Sequence, residues 1–325
     1  VSALLQVENL HTVFHPKGTL GRSRGAPVHA VDGVSLHVQR GEMLALVGES
    51  GCGKTTTVQT VMRLVESTSG RILLDGQDIS ALDGSALRAV RRRVQLVYQD
   101  PYEALDPRFR VRQTVLEPLQ IHRRDLTADD RMELVHRALE TVGLTPAESF
   151  LERYPHELSG GQRQRVAIAA ALVLDPQVLI ADEPVSMLDV SVRAGVLDLL
   201  ASLRRDRGLG IVMITHDLAT AARFADRIAV MYLGRIIEEG PARLVTAEPR
   251  HPYTRALLSV VPQRDPARRT TPVLLSGEPP NAAAIPPGCR FHPRCPVAVT
   301  SCRKVDPVLE PVEAPHRWAC PVSRG

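Results

Sequence analysis

The sequence predicts an α/β fold with a largely parallel sheet, and three observations carry that expectation. Two short, wholly apolar stretches, "PQVLIADEP" and "LGIVMITHD", read as strands buried on both faces. Helical periodicity separates them in "VRAGVLDLLASLRRDRG". A glycine-rich loop stands between the apolar strand "MLALV" and a helical stretch. Strands alternating with helices around such a loop imply a sheet with helices packed on its faces.

Taken in order, "LLQVENLHTVF" alternates as a strand does, and "GTLGRSRGAP" is a Gly- and Arg-rich loop. "VDGVSLHVQRGEMLALVG" reads as two strands turning at Arg40-Gly41, and a helix is expected through Val58 to Val65. "GRILLDGQDIS" is a strand pair turning at Asp75-Gly76. The texture then becomes charged and helical, as in "ADDRMELVHRALETVGL", which predicts a helical insertion over residues 100–160. After about Pro241 the chain becomes proline-rich and loses periodicity.

At 325 residues the chain has room for one large domain with an appendage, or for two domains. Aromatic residues make up only 3%, so the core is expected to be built of Val, Leu, Ile and Ala. The net charge of +4 is modest and spread out, which argues against nucleic acid as a partner. "VRRRV" reads as a solvated face. The longest apolar run, "VAIAAALVL", has nine residues, too few to cross a membrane. The first ten residues show no signal-peptide pattern, so a cytosolic, reducing location is expected.

"GESGCGKT", Gly48 to Thr55, fits the phosphate-loop pattern in the strand–loop–helix context it requires. Its backbone N–H groups and the helix N-terminus suit phosphate oxygens. The expected nucleotide contacts are Gly48, Ser50, Gly51, Gly53, Lys54, Thr55 and Thr56. Lys54 serves the β- and γ-phosphates, and Thr55 offers a hydroxyl to Mg²⁺. Cys52 reads as a small, oxidisable filler. The strand "VLIADE" ends in Asp182, expected to hold Mg²⁺, and Glu183, expected to take a proton from the attacking water. These two motifs alone predict a P-loop NTPase and no more.

"LSGGQ", Leu158 to Gln162, just ahead of the acidic strand, resembles the signature of ATP-binding-cassette (ABC) ATPases. That resemblance implies a RecA-like core, an antiparallel β subdomain and a helical insertion. It also implies a dimer in which Ser159, Gly160, Gly161 and Gln162 grip the nucleotide held by the other subunit. By the same resemblance Gln99 touches Mg²⁺ and the attacking water, Asp189 crosses the dimer interface and His216 contacts the γ-phosphate. Phe14 stacks on adenine, with His15 the second choice. Ala170, Met187 and Tyr98 depart from common family residues at non-catalytic positions.

"YQDPYEALDPR", "RYPHELSGGQRQRVAIA", "RHPYTRALLSVVP" and "GCRFHPRCP" are similar to the ATPase subunits of oligopeptide and dipeptide importers. Relatives that import nickel share much of this wording, and a soluble ATPase with a non-membrane partner is a further alternative. The resemblance implies a second, homologous ATPase subunit, two membrane permease subunits and, indirectly, an extracytoplasmic peptide-binding protein. It places the chain on the cytoplasmic face of the inner membrane. The expected domains are a nucleotide-binding domain over 1–245 and an irregular extension over 246–325.

Four of the five cysteines lie in that extension: Cys289, Cys295, Cys302 and Cys320. Their spacing matches neither a common zinc ribbon nor a ferredoxin, so iron–sulfur, zinc, disulfides and free thiols all stay open. The importer resemblance implies a 4Fe–4S cluster, with His292 and His316 as alternative ligands. The extension is poor in large apolar residues, so a metal is expected to supply stability that its own core lacks.

Overall fold

The computed structural model describes residues 3–16, 25–261, 272–273, 275, 277–278, 281–310 and 314–324. Most of the expected "GTLGRSRGAP" loop lies outside the described residues. The chain opens with strands β1 (Leu5–Phe14), β2 (Val28–Val38) and β3 (Met43–Val47), then helix α1 (Lys54–Val61). β4 (Ser69–Leu74) and β5 (Gln77–Asp78) follow, then α2 (Gly84–Arg93) and β6 (Val94–Val97). The helical insertion comprises α3 (Pro101–Ala104), α4 (Val111–His122), α5 (Ala128–Thr141) and α6 (Glu148–Leu151). Next come α7 (Gly160–Leu172), β7 (Val178–Asp182), α8 (Val190–Arg207) and β8 (Gly210–Thr215). The chain then runs through α9 (Leu218–Phe224), β9 (Arg227–Tyr232), β10 (Arg235–Pro241), α10 (Ala242–Ala247), α11 (Pro252–Ser259) and β11 (Arg317–Trp318).

These elements form two compact units. The first consists of Val1–Leu5, Val38–Met43 and Leu73–Ile214. Its sheet runs β6, β7, β8, each parallel to the next. Every residue of β7 and β8 is buried, as parallel strands covered on both faces require. Glu42, just before β3, accepts a hydrogen bond from Ile211 N–H at 2.8 Å. Around this sheet α7 packs against α3, α4, α5, α8 and β6. α5 begins with a reciprocal cap, Thr127 accepting from Asp130 N–H while Asp130 accepts from Thr127 N–H. α8 ends at Gly208, whose positive φ of 64° stops the helix.

The second unit consists of Gln6–His37, Leu44–Ile72 and Thr215–Gly325. In it β3 runs parallel to β9, and β9 returns antiparallel through β10 to β11. The β9–β10 turn is two residues, Leu233 and Gly234, both at positive φ, the geometry that matches strand twist. β2, β1 and β4 lie side by side, and Gly70 of β4 permits a close approach. A Cβ there would come within 2.5 Å of the Asn9 carbonyl oxygen.

Two expectations differ from the structure. α1 ends at Val61, not Val65, because Arg63 takes the left-handed conformation at φ 56°. Arg63 N–H bonds Thr60 O and Leu64 N–H bonds Gln59 O, the paired bonds of a left-handed C-cap usually formed on glycine. Beyond Pro241 the chain is not wholly irregular, since α10 and α11 form there. α11 starts with His251, whose Nδ1 accepts from Tyr253 N–H at 3.1 Å, followed by Pro252 in the first turn.

The extension also has more anchorage than its composition suggested. Phe291 is buried in an aromatic cluster, with its ring centroid 5.3 Å from Tyr232 and 5.4 Å from Tyr253. Glu238, fully buried in β10, accepts from Arg250 N–H, His251 N–H and His316 Nε2, each within 2.8 Å. Arg317 of β11 pairs with Glu239. The extension therefore has an aromatic plug and ion pairs of its own.

Candidate nucleotide site and cysteine extension

In the second unit the phosphate loop leaves the buried strand β3 and ends in the first turn of α1. Its glycines answer to space as well as to φ. Gly53 has φ 106°, and a Cβ on it would lie 2.2 Å from the Ala30 carbonyl oxygen. A Cβ on Gly48 would lie 2.3 Å from the Met231 carbonyl oxygen. Lys54 is buried, and its Nζ donates to Gly48 O at 2.7 Å and Glu49 O at 2.9 Å. Ser50, Gly51 and Thr55 are exposed and Thr56 is half-buried, so the loop keeps an open face. Thr55 supplies a hydroxyl oxygen, the donor type Mg²⁺ prefers. Phe14, at the end of β1, is 43% exposed, and His216, directly after β8, is exposed. Cys52 is buried, and burial pushes its thiol above the ordinary range.

The first unit holds the acidic and signature residues. Asp182 is the buried last residue of β7. Glu183 follows with φ 44°, a left-handed conformation rare for a side chain of its size. The strained turn is held by Glu183 N–H donating to Ile214 O at 3.0 Å and by Ser186 Oγ donating to Glu183 O at 3.1 Å. Gln99 Nε2 donates to Glu183 Oε2 at 3.2 Å, so these two predicted catalytic side chains meet. Ser159 caps α7 reciprocally with Gln162, the serine Oγ accepting from Gln162 N–H at 3.3 Å. A Cβ on Gly161 would lie 2.3 Å from Val192 Cγ1, so only glycine lets α7 approach α8 this closely. Ser159 and Asp189 are exposed, and beside Asp189 so are Met187, at 56%, and Val190, at 79%.

The structure also describes the four cysteines of the extension. All five cysteines are free, and among the described residues no group of three or more His, Cys, Asp or Glu is placed to hold a metal ion. Cys289, Cys302 and Cys320 are buried and Cys295 is half-buried. Cys289 N–H donates to Cys302 O at 2.8 Å, while Cys320 follows Ala319, whose N–H donates to Ile237 O. Burial, and then the neighbouring thiols, push Cys289 up to about 11 and also raise Cys295. His292 Nδ1 lies 2.9 Å from Cys289 O, and His316 is held by Glu238.

Sequence reading missed Glu49, Tyr253 and Arg294, which meet at the phosphate loop. The only signal was the quoted "RHPYT" and "FHPRC" wording. His251 is fully buried, which holds its imidazole down to about 4, so it is a neutral cap rather than a charged group. Burial raises the Asp32 carboxyl, but the adjacent Arg290 outweighs it and leaves the group below its ordinary value.

A family model described as ABC transporter matches residues 31–186. A second, described as oligopeptide/dipeptide transporter, C-terminal region, matches residues 237–302. The chain is 47% identical over 320 residues to a probable peptide ABC transporter ATP-binding protein, y4tS, of Sinorhizobium fredii, covering 98% of this chain and 90% of that one. It is 44% identical over 321 residues to the oligopeptide transport ATP-binding protein AppF of Bacillus subtilis, covering 98% and 96%. Among solved structures, the ATP-binding cassette MJ0796, a dimer bound to ADP and Pi, matches with a TM-score of 0.64 and 29% identity over 74% of this chain and 99% of that one. CbiO1 of Clostridium perfringens, part of the cbiONQ transporter complex, matches with a TM-score of 0.65 and 31% identity over 76% and 92%. The cassette architecture, the phosphate loop and the likeness along nearly its full length place this chain in the ABC transporter ATP-binding family, in its oligopeptide/dipeptide branch.

Proposed function

We propose that the chain is the ATP-hydrolysing motor subunit of an importer for oligopeptides or dipeptides. The carrying observation is the pairing, in one chain, of the cassette match over 31–186 with the oligopeptide/dipeptide match over 237–302. In this reading the nucleotide-binding domain spans 1–245 and the extension follows it. Phe14 stacks on the base, and the phosphate loop from Gly48 to Thr56 cradles the phosphates. Lys54 moves from its resting bonds with Gly48 and Glu49 to the β- and γ-oxygens.

Mg²⁺ neutralises phosphate charge when bound. Thr55, Asp182 and Gln99 are the oxygen donors assigned to it. Glu183 accepts the proton of the attacking water, Gln99 orients that carboxylate, and His216 marks the γ-phosphate. Ser159, Gly160, Gly161 and Gln162 serve the nucleotide of a second subunit. The exposed Met187 and Val190 beside Asp189 suit such an interface.

The partners in this reading are a second, homologous ATPase, two permease subunits and, indirectly, a peptide-binding protein. The chain then sits peripherally on the cytoplasmic face of the inner membrane. Among the described residues no helix is long and apolar enough to cross a membrane. The groove beside the insertion that contains Gln99 is the expected seat of a short permease helix.

The test is reconstitution with the permease pair in liposomes. Peptide-loaded binding protein is expected to stimulate ATP turnover severalfold. Stimulation by nickel instead of peptide, or failure to copurify with any permease, sinks the reading. For the extension, the family-type 4Fe–4S cluster remains the reading to test, because four thiols lie in one short segment and influence one another. Zinc is the alternative. Iron with visible charge-transfer absorption after anaerobic purification supports the cluster, and zinc alone or neither metal discards it.

A further inference from the structure

Glu49, the second residue of the phosphate loop, has all three of its hydrogen-bonding groups engaged. Its N–H donates to Tyr253 Oη at 3.0 Å. Its carbonyl accepts from Lys54 Nζ at 2.9 Å. Its carboxylate accepts from Arg294 Nη1 at 2.7 Å and Nη2 at 3.2 Å, a two-pronged guanidinium–carboxylate pair. Two of the three partners come from the C-terminal segment.

Those partners are themselves held in place. Arg294 is only 8% exposed, and its N–H donates to Phe291 O at 3.0 Å. Phe291, Tyr232 and Tyr253 form one buried edge-to-face cluster. A second arginine of the same segment, Arg290, donates to Asp32 and to Leu233 O. Leu233 begins the turn whose Gly234 N–H bonds Cys52 O of the phosphate loop at 2.8 Å. The segment therefore reaches the loop twice, directly at Glu49 and through the turn at Cys52.

We propose that the C-terminal segment is a positioning device for the phosphate loop, with Arg294 and Tyr253 holding Glu49 so that the loop is preset for a triphosphate. A glycine-rich loop pays conformational entropy when it closes on phosphate, and a preset loop pays less. That advantage applies equally to bound ATP and to the transition state. Its loss therefore raises KM and leaves kcat nearly unchanged. Arg294 and Tyr253 touch no reacting atom in this scheme and act only through Glu49. The inference rests on ATP binding at this loop.

The test measures ATP affinity, KM, kcat and melting temperature for the full chain and for Arg294→Ala, Arg294→Lys, Tyr253→Phe and Glu49→Gln. Arg294→Ala is expected to raise KM and Kd about tenfold, or about 1.4 kcal/mol, with kcat within about twofold. Arg294→Lys, with one prong, is expected to fall between it and the parent. A lower melting temperature with KM unchanged in Arg294→Ala makes Arg294 a mere anchor and overturns the proposal. If Arg294→Ala does not fold, Glu49→Gln decides, because it keeps Phe291 and Arg294 in place; unchanged KM there also overturns it. A parent chain that binds no ATP defeats the functional reading instead, which keeps the two failures apart.

Discussion

Glu183→Gln is expected to lower ATP turnover at least ~100-fold while ATP still binds, the span a lost general base commands. The substitution keeps shape, so Gln99 keeps a neighbour at the 3.2 Å now seen, but the amide cannot take a proton. Backbone geometry argues the same way. Glu183 sits at φ 44°, held by Ile214 and Ser186 through its main chain, and those bonds do not depend on the carboxylate. A strained turn that survives the change separates chemistry from folding. Steady-state turnover at saturating ATP, with nucleotide affinity measured alongside, reads the outcome. Turnover within about tenfold of the parent removes Glu183 from the role of base.

Gly161→Ala is expected to cost about 100-fold in turnover, since a shift of about 1 Å in a positioned group has that effect. The new methyl would lie 2.3 Å from Val192 Cγ1, far inside contact distance, so α7 and α8 must separate. Overpacking of this kind also costs about 1–3 kcal/mol of stability. Val192→Ala removes the opposing methyl groups, so the double variant is expected to regain most of both losses. A Gly161→Ala chain that stays inactive in the Val192→Ala background, with its stability restored, would falsify the packing explanation. ATP affinity of the second unit's phosphate loop is expected to stay near the parent value in Gly161→Ala, Val192→Ala and the double variant.

Much of the nucleotide chemistry was legible because each motif is contiguous. Gly48 to Thr55, Leu158 to Gln162 and the strand ending in Asp182 and Glu183 carry their neighbours with them. The buried strands β7 and β8 announced themselves by having no polar face. The helix end at Arg63 was not legible, since a left-handed cap on arginine leaves no glycine to read. The partners of Glu49 were hidden for a different reason. A part-buried salt bridge between residues 245 apart has no periodicity, and neither residue is unusual in its own neighbourhood. The cysteine spacing fits no common metal motif, so the role of the four thiols was not legible from spacing alone.

The distance between Glu49 and its partners also sets an order of assembly during synthesis. Ribosomes add roughly 5–20 residues per second. Arg294 lies 245 residues after Glu49, so it is made on the order of 10–50 s later. Tyr253 follows Glu49 by 204 residues and arrives only a little sooner. For that interval the growing chain carries a complete phosphate-loop sequence without either of the side chains that hold it. The loop is translated well before it can take the hydrogen bonds that hold it.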